Sequence, residues 1–130
     1  GLAVAKRPNI FQSNEDAMHY DIVFHLDQGQ DELNIALSNI ANYVKALAEE
    51  HFTAVLLVNG PAIKLVVKDT DNCAKLTALC EQGLDLRVCN NALTHFGIAP
   101  ADLCPCCRIV PAGVVELVEL QRKGFAYVKP

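Results

Sequence analysis

The chain predicts an α/β fold, a three-layer α/β/α sandwich built on a five-stranded parallel sheet. Three features carry that expectation. Short runs such as Ile22-Val23-Phe24-His25-Leu26 and Thr53 to Val58 are apolar on both alternations, as strands buried on both faces are. Other segments place apolar residues three and four apart, the period of a helix packed on one side. Gly, Pro and Asn punctuate each change of period, so the elements follow one another as βαβαβαβαβ.

Residues 1–19 show no periodicity and are expected to form an N-terminal arm docked through Ile10 and Phe11. The domain is expected over residues 20–130, opening with the strand at Ile22. Asp31 and Glu32 then start a long helix, where acidic side chains suit the positive end of the helix dipole. Its apolar face runs through Leu33, Ala36, Leu37, Ile40, Val44 and Leu47. The second strand ends at Asn59-Gly60-Pro61, which forces a turn. Ala62 to Val67 reads as a short helix, and Cys73 to Gln82 as a longer one stopped by Gly83. Leu84 to Val88 alternates as the third strand, followed by a short helix from about Asn91 to Phe96. Ile98 to Cys107 reads as a loop containing Pro100 and Pro105, and Arg108-Ile109-Val110 as the fourth strand. Pro111-Ala112-Gly113 turns into a helix expected to bury Val114, Leu117, Val118 and Leu120 and to expose Glu116, Glu119 and Arg122. Gly124 ends it ahead of a last strand from Phe125 to Val128.

Composition removes several classes of function. The net charge is −4 and no stretch clusters Lys and Arg, as a nucleic-acid groove would require. No apolar run approaches the roughly 20 residues that span a bilayer. The glycine turns lack the spacing of a phosphate loop or a dinucleotide fingerprint, so no cofactor is implied. The six cysteines, at positions 73, 80, 89, 104, 106 and 107, all lie in the second half of the chain. An α/β chain of 130 residues buries enough apolar surface without covalent staples. Free thiols in a reducing, cytoplasmic compartment are therefore expected. The alternative is export, because Ala3-Val4-Ala5 would suit the end of a removed signal segment.

In an open parallel sheet every strand-to-helix turn lies on the carboxyl edge, where ligands bind. That rule gathers His25, Asn59-Gly60-Pro61, Cys89-Asn90-Asn91 and Pro111-Ala112-Gly113 on one rim. Cys89 is the strong nucleophile among them. It stands where the third strand hands over to a helix, with Asn90 and Asn91 as capping residues. Free amides and the positive helix end favour a thiolate there. The plainer reading of Cys89 is a small buried core residue, but alternation places it on the face of Asp85 and Arg87 rather than that of Leu86 and Val88. For His25 the plainer reading is a hydrogen-bonded structural histidine and the bolder one an acid–base group. His19 and His51 read as surface residues, and His95 as a flank of the pocket.

Cys104-Pro105-Cys106-Cys107 admits three readings. Three thiols in four residues suit a soft metal, with Cys89 or a histidine completing the ligand set. The second Cys/His pair that zinc motifs carry at a fixed spacing is missing, so no metal site is assigned. The cluster could instead supply an auxiliary thiol that resolves sulfur carried by Cys89, or be an incidental cysteine-rich loop. Cys73 and Cys80, seven apart on a helix, read as core.

Several segments together carry a family resemblance: Val23-Phe24-His25-Leu26-Asp27-Gln28-Gly29, Val58-Asn59-Gly60-Pro61, Val88-Cys89-Asn90-Asn91-Ala92-Leu93, Ile109 to Leu117, and Gly124-Phe125-Ala126-Tyr127. In order and spacing they resemble the DsrE/DsrF-like family, which includes sulfur-relay proteins of the Tus type and YchN-like proteins. The resemblance covers about residues 20 to 130. It implies a five-stranded parallel sheet between helix layers, self-association into trimers or hexamers, and sulfur transfer. The family's sulfur-carrying cysteine follows the third strand, at the position of Cys89. The Cys104–Cys107 cluster has no counterpart in the family pattern.

The expectation is a sulfur-relay protein that accepts persulfide sulfur on Cys89 and passes it on, a sulfurtransferase-like carrier with donor and acceptor proteins as partners. The remaining rim residues (His25, Asn59, Gly60, Asn90, Asn91, Pro111 and Gly113) would line its pocket. One alternative is a non-catalytic module that binds a small ligand or partner at the same rim. A second is metal binding by Cys104, Cys106 and Cys107.

Overall fold

The computed structural model describes residues 20–130; the predicted arm at 1–19 and His19 lie outside the described residues. The first strand, β1 (Ile22–Leu26), is followed by helix α1 (Gln30–Ala46) and strand β2 (Ala54–Val58). A 3₁₀ segment (Gly60–Val66) leads to α2 (Asp71–Glu81), β3 (Asp85–Cys89) and α3 (Asn90–Phe96). Then come β4 (Arg108–Val110), α4 (Gly113–Arg122) and β5 (Ala126–Val128). The five strands form one parallel sheet in the order β4-β3-β2-β1-β5.

The alternation of side chains sorts the sheet into two unequal faces. Ile22, Phe24, Leu26, Leu56, Val58, Leu86 and Val88 meet Leu33, Ala36 and Ile40 of α1, Leu76 and Leu79 of α2, and Leu93 of α3. Among the described residues the cluster on the other face is smaller. There Val23, Val55, Leu57 and Val110 meet Leu117 and Leu120 of α4. Helices thus lie on both faces; among the described residues, α4 is the helix on the second side.

The expected pattern within α4 is corrected. Val114 and Val118 are 64% and 51% exposed, as is Val115 at 53%. The stripe that meets the sheet is Gly113, Glu116, Leu117 and Leu120, an i, i+3, i+4, i+7 row one position away from the two valines. Glu116 turns inward because Arg87 on β3 receives it, with Nη1 2.7 Å from Oε2. The place of a charged residue on this apolar stripe is set by a cation on the sheet, which the local pattern of the helix does not show.

The expectation of free thiols throughout is corrected too. Cys73 and Cys104 form a disulfide, with Cα atoms 5.5 Å apart, tying the start of α2 to the loop before β4. Cys73 is therefore not simply a core residue, and Cys104 is not an auxiliary thiol in this state. That loop is also fixed by an antiparallel bridge between Val67 and Leu103 and by the Cys104 amide donating to the Val66 carbonyl at 2.8 Å. Residues 31 apart in sequence were brought together by tertiary packing, which local spacing does not encode. The thiols of Cys80, Cys89, Cys106 and Cys107 are free.

Candidate functional site at the carboxyl edge of the sheet

Parallel pairing brings the ends of β1, β2 and β3 side by side, with His25 opposite Leu57 and Leu57 opposite Arg87. His25 points to the α4 side, the same side as Val23, and is 9% exposed. Both of its ring nitrogens are engaged. Nε2 lies 2.8 Å from Asn59 Oδ1 and Nδ1 lies 2.5 Å from the Tyr127 hydroxyl. Nε2–H donates to the amide oxygen, and Nδ1 shares the second hydrogen bond with the tyrosine hydroxyl, so the ring is held in one orientation.

Cys89 ends β3 and is the N-cap of α3, yet its side chain makes no capping bond to that helix. Strand alternation carries the sulfur to the opposite face. There the backbone N–H of Gly113 donates to Cys89 Sγ at 3.3 Å. The amide belongs to the first turn of α4, where backbone donors lack intrahelical partners and the dipole is positive. The donor to the sulfur thus comes from the helix after β4 rather than from residues 90–92. Asn90 and Asn91 are exposed in the first turn of α3.

Gly113 is what lets α4 come so close. A Cβ there would stand 3.1 Å from Asn59 Cβ, 3.2 Å from Leu57 Cδ1 and 3.3 Å from Cys89 Cβ. The position of Gly113 is thus tied to Asn59 and, through it, to His25. Gly60 has a different reason to be glycine, a φ of +57° in the left-handed region as β2 turns away. Pro111 is exposed at the turn between β4 and α4.

One turn along α4, charge holds the helix to the sheet. Arg87 bonds Asp85 at 2.8 Å as well as Glu116, and Arg108 reaches Asp85 at 3.3 Å. Burial works against the Arg87 charge, but the two carboxylates outweigh it and raise its pKa above the ordinary value. At the mouth of β1, burial works against the Asp27 charge, and the Lys129 ammonium bonded to it prevails, lowering the carboxyl's pKa.

His25, Asn59, Gly113 and Cys89 are therefore linked in one contact chain on the α4 side. Cys89 is 6% exposed. Sequence reasoning missed Tyr127, which reaches His25 only because β5 pairs with β1, Tyr127 opposite Val23. The order of strands would have revealed it, and no local pattern carries that order. The Cys104–Cys107 segment packs with α2, whereas the Cys89 sulfur is met by the Gly113 amide on the α4 side. Among the described residues no group of three or more His, Cys, Asp and Glu side chains is arranged to hold a metal ion. No helix among them is long and apolar enough to cross a membrane.

Comparison with solved structures returns the same architecture. A protein of unknown function, MTH1491 from Methanobacterium thermoautotrophicum, superposes with a TM-score of 0.80 at 26% identity, covering 85% of this chain and 99% of that one. The YchN protein of E. coli follows with a TM-score of 0.74 at 15% identity, over 85% of this chain and 98% of its own. BT1422 from Bacteroides thetaiotaomicron, a conserved protein of unknown function, gives 0.62 at 17% identity over 85% and 94%. No curated protein matches the sequence. A model of the DsrE/DsrF-like family matches residues 51–130, which include Cys89, Gly113 and Tyr127. The chain belongs to the DsrE/DsrF-like family.

Proposed function

We propose that the protein is a sulfur carrier in which Cys89 takes sulfane sulfur from a persulfide donor and yields it to an acceptor thiol. The observation that carries the reading is the Gly113 amide on Cys89 Sγ at the positive end of α4. In the first step the Cys89 thiolate attacks the outer sulfur of the donor persulfide. The bond to that sulfur forms as the donor's S–S bond breaks, and the donor leaves as a thiolate. An acceptor thiolate then attacks the same outer sulfur and Cys89 leaves. His25, held in place between Asn59 and Tyr127, shapes the floor of the pocket.

Donor and acceptor are proteins in this reading, and the carrier works as a homo-oligomer, a trimer or hexamer. Ile109, Val114, Val115 and Val118 favour assembly, since they leave an apolar surface beside the site. The burial of Cys89 favours a second reading, in which the rim is a non-catalytic pocket for a small ligand or partner. Intact-mass measurement after incubation with inorganic polysulfide separates the two. The carrier gains one sulfur mass that excess thiol removes, and Cys89→Ser gains none at that site. A wild type that gains nothing, or equal gain in Cys89→Ser, refutes the carrier.

A further inference from the structure

The face opposite the Cys89 sulfur holds a group of cysteines that the proposed sulfur transfer does not use. The central one is Cys104, 1% exposed and bonded to Cys73. Cys106 Sγ lies 3.6 Å from Cys104 Sγ, in van der Waals contact and a short approach from the roughly 3–3.5 Å of reacting atoms. The Thr77 hydroxyl lies 3.5 Å from Cys104 Sγ and 4.0 Å from Cys73 Sγ. It can thus donate to whichever sulfur of the disulfide leaves.

We propose that Cys73, Cys104 and Cys106 form a thiol–disulfide exchange centre, with Cys104 as the shared sulfur and Cys106 as the port for a low-molecular-weight thiol. The Cys106 thiolate attacks Cys104 Sγ. The Cys104–Cys106 bond forms as the Cys73–Cys104 bond breaks, and Cys73 leaves with the electron pair and takes up the proton that Cys106 gave up. One disulfide and one thiol stand on each side, so this step needs no oxidant or reductant. A disulfide across a single intervening residue departs from preferred geometry, which makes it the minor and more reducible pairing. An external thiolate then attacks Cys106, Cys104 leaves as thiolate, and a mixed disulfide remains on Cys106. A second external thiol displaces it. Two external thiols end as one disulfide, and the protein disulfide ends as two thiols.

The neighbouring thiols are arranged as bystanders. Burial pushes Cys107 up to about 12, and its S–H faces the Val66 carbonyl. Burial, with the Cys106 sulfur beside it, pushes Cys80 up to about 12 as well. Cys89 turns to the other side of the sheet. Cys106 is thus the free thiol placed to open the disulfide.

The test is brief exposure of the oxidised protein to glutathione, acid quench and peptide mapping. The mixed disulfide is expected on Cys106. Cys106→Ser is expected to slow reduction about tenfold or more, by loss of the pre-positioned thiol, whereas Cys107→Ser keeps the wild-type rate. Mapping on wild type is independent of how the variants fold. Glutathione found on Cys73 means direct attack on the disulfide and overturns the proposal, as does an unchanged rate in Cys106→Ser. Stoichiometric zinc in the protein as purified, lost in Cys106→Ser, overturns it in favour of a thiolate metal site.

Discussion

Replacing Gly113 by alanine tests how α4 meets the candidate site. The added methyl would stand 3.1 to 3.3 Å from carbon atoms of Asn59, Leu57 and Cys89, against about 3.5–4.0 Å for relaxed carbon–carbon contact. Each neighbour, or the helix itself, must recede by roughly 0.2–0.9 Å. The side chains of Asn59 and Cys89 leave from strand ends, so the easier movement is of α4 away from the sheet. Such overpacking costs about 1–3 kcal/mol. Alanine loses less backbone entropy than glycine on folding and returns up to about 1 kcal/mol. The net expectation is a destabilisation of about 1–2 kcal/mol. In urea that lowers the midpoint by about 0.5–1 M, with the disulfide kept oxidised in both proteins. The same retreat lengthens the 3.3 Å bond from the Gly113 amide to Cys89 Sγ, so sulfur loading on Cys89 is expected to fall. Wild-type stability with unchanged loading would mean that α4 does not approach Cys89 as described.

Three further outcomes follow from the same geometry. Arg87→Met leaves the Asp85 and Glu116 carboxylates, 25% and 19% exposed, without their shared cation; a loss of about 2–3 kcal/mol is expected by denaturant titration, and a loss near zero contradicts the network. Reducing the Cys73–Cys104 disulfide, whose ends are 31 residues apart, should lower unfolding free energy by about 3–4 kcal/mol on the loop-entropy relation. Raising the pH should also destabilise the fold. Cys80 and Cys107 hold their protons up to about 12 in the native state, against an ordinary 9.0. Between those values the unfolded chain binds fewer protons than the native one, so stability falls as pH rises through the window. Urea midpoints from pH 8 upwards should stay level and then fall above about 9, and Cys107→Ala should flatten the fall.

Much of the fold was legible because the signals were local. The strands at Ile22–Leu26 and Ala54–Val58 are runs apolar on both alternations, and the helices carry one-sided apolar faces. The rule that strand-to-helix turns share one edge gathers His25, Asn59, Cys89 and Gly113 on one rim from the sequence alone. What local pattern did not carry was pairing across the fold. The amide on Cys89 comes from residue 113, the hydroxyl on His25 from residue 127, and the partner of Cys104 from residue 73. Each depends on strand order or loop packing. Glu116 failed for the same reason: its inward turn answers an arginine 29 residues earlier.

The most direct test of the account is peptide-resolved mapping of sulfane sulfur on the wild-type protein after exposure to a persulfide donor and then to an acceptor thiol. The extra sulfur is expected on the peptide carrying Cys89 and is expected to leave with the acceptor. Sulfur found on Cys106 or Cys107 instead, with the Cys89 peptide unmodified, would contradict it.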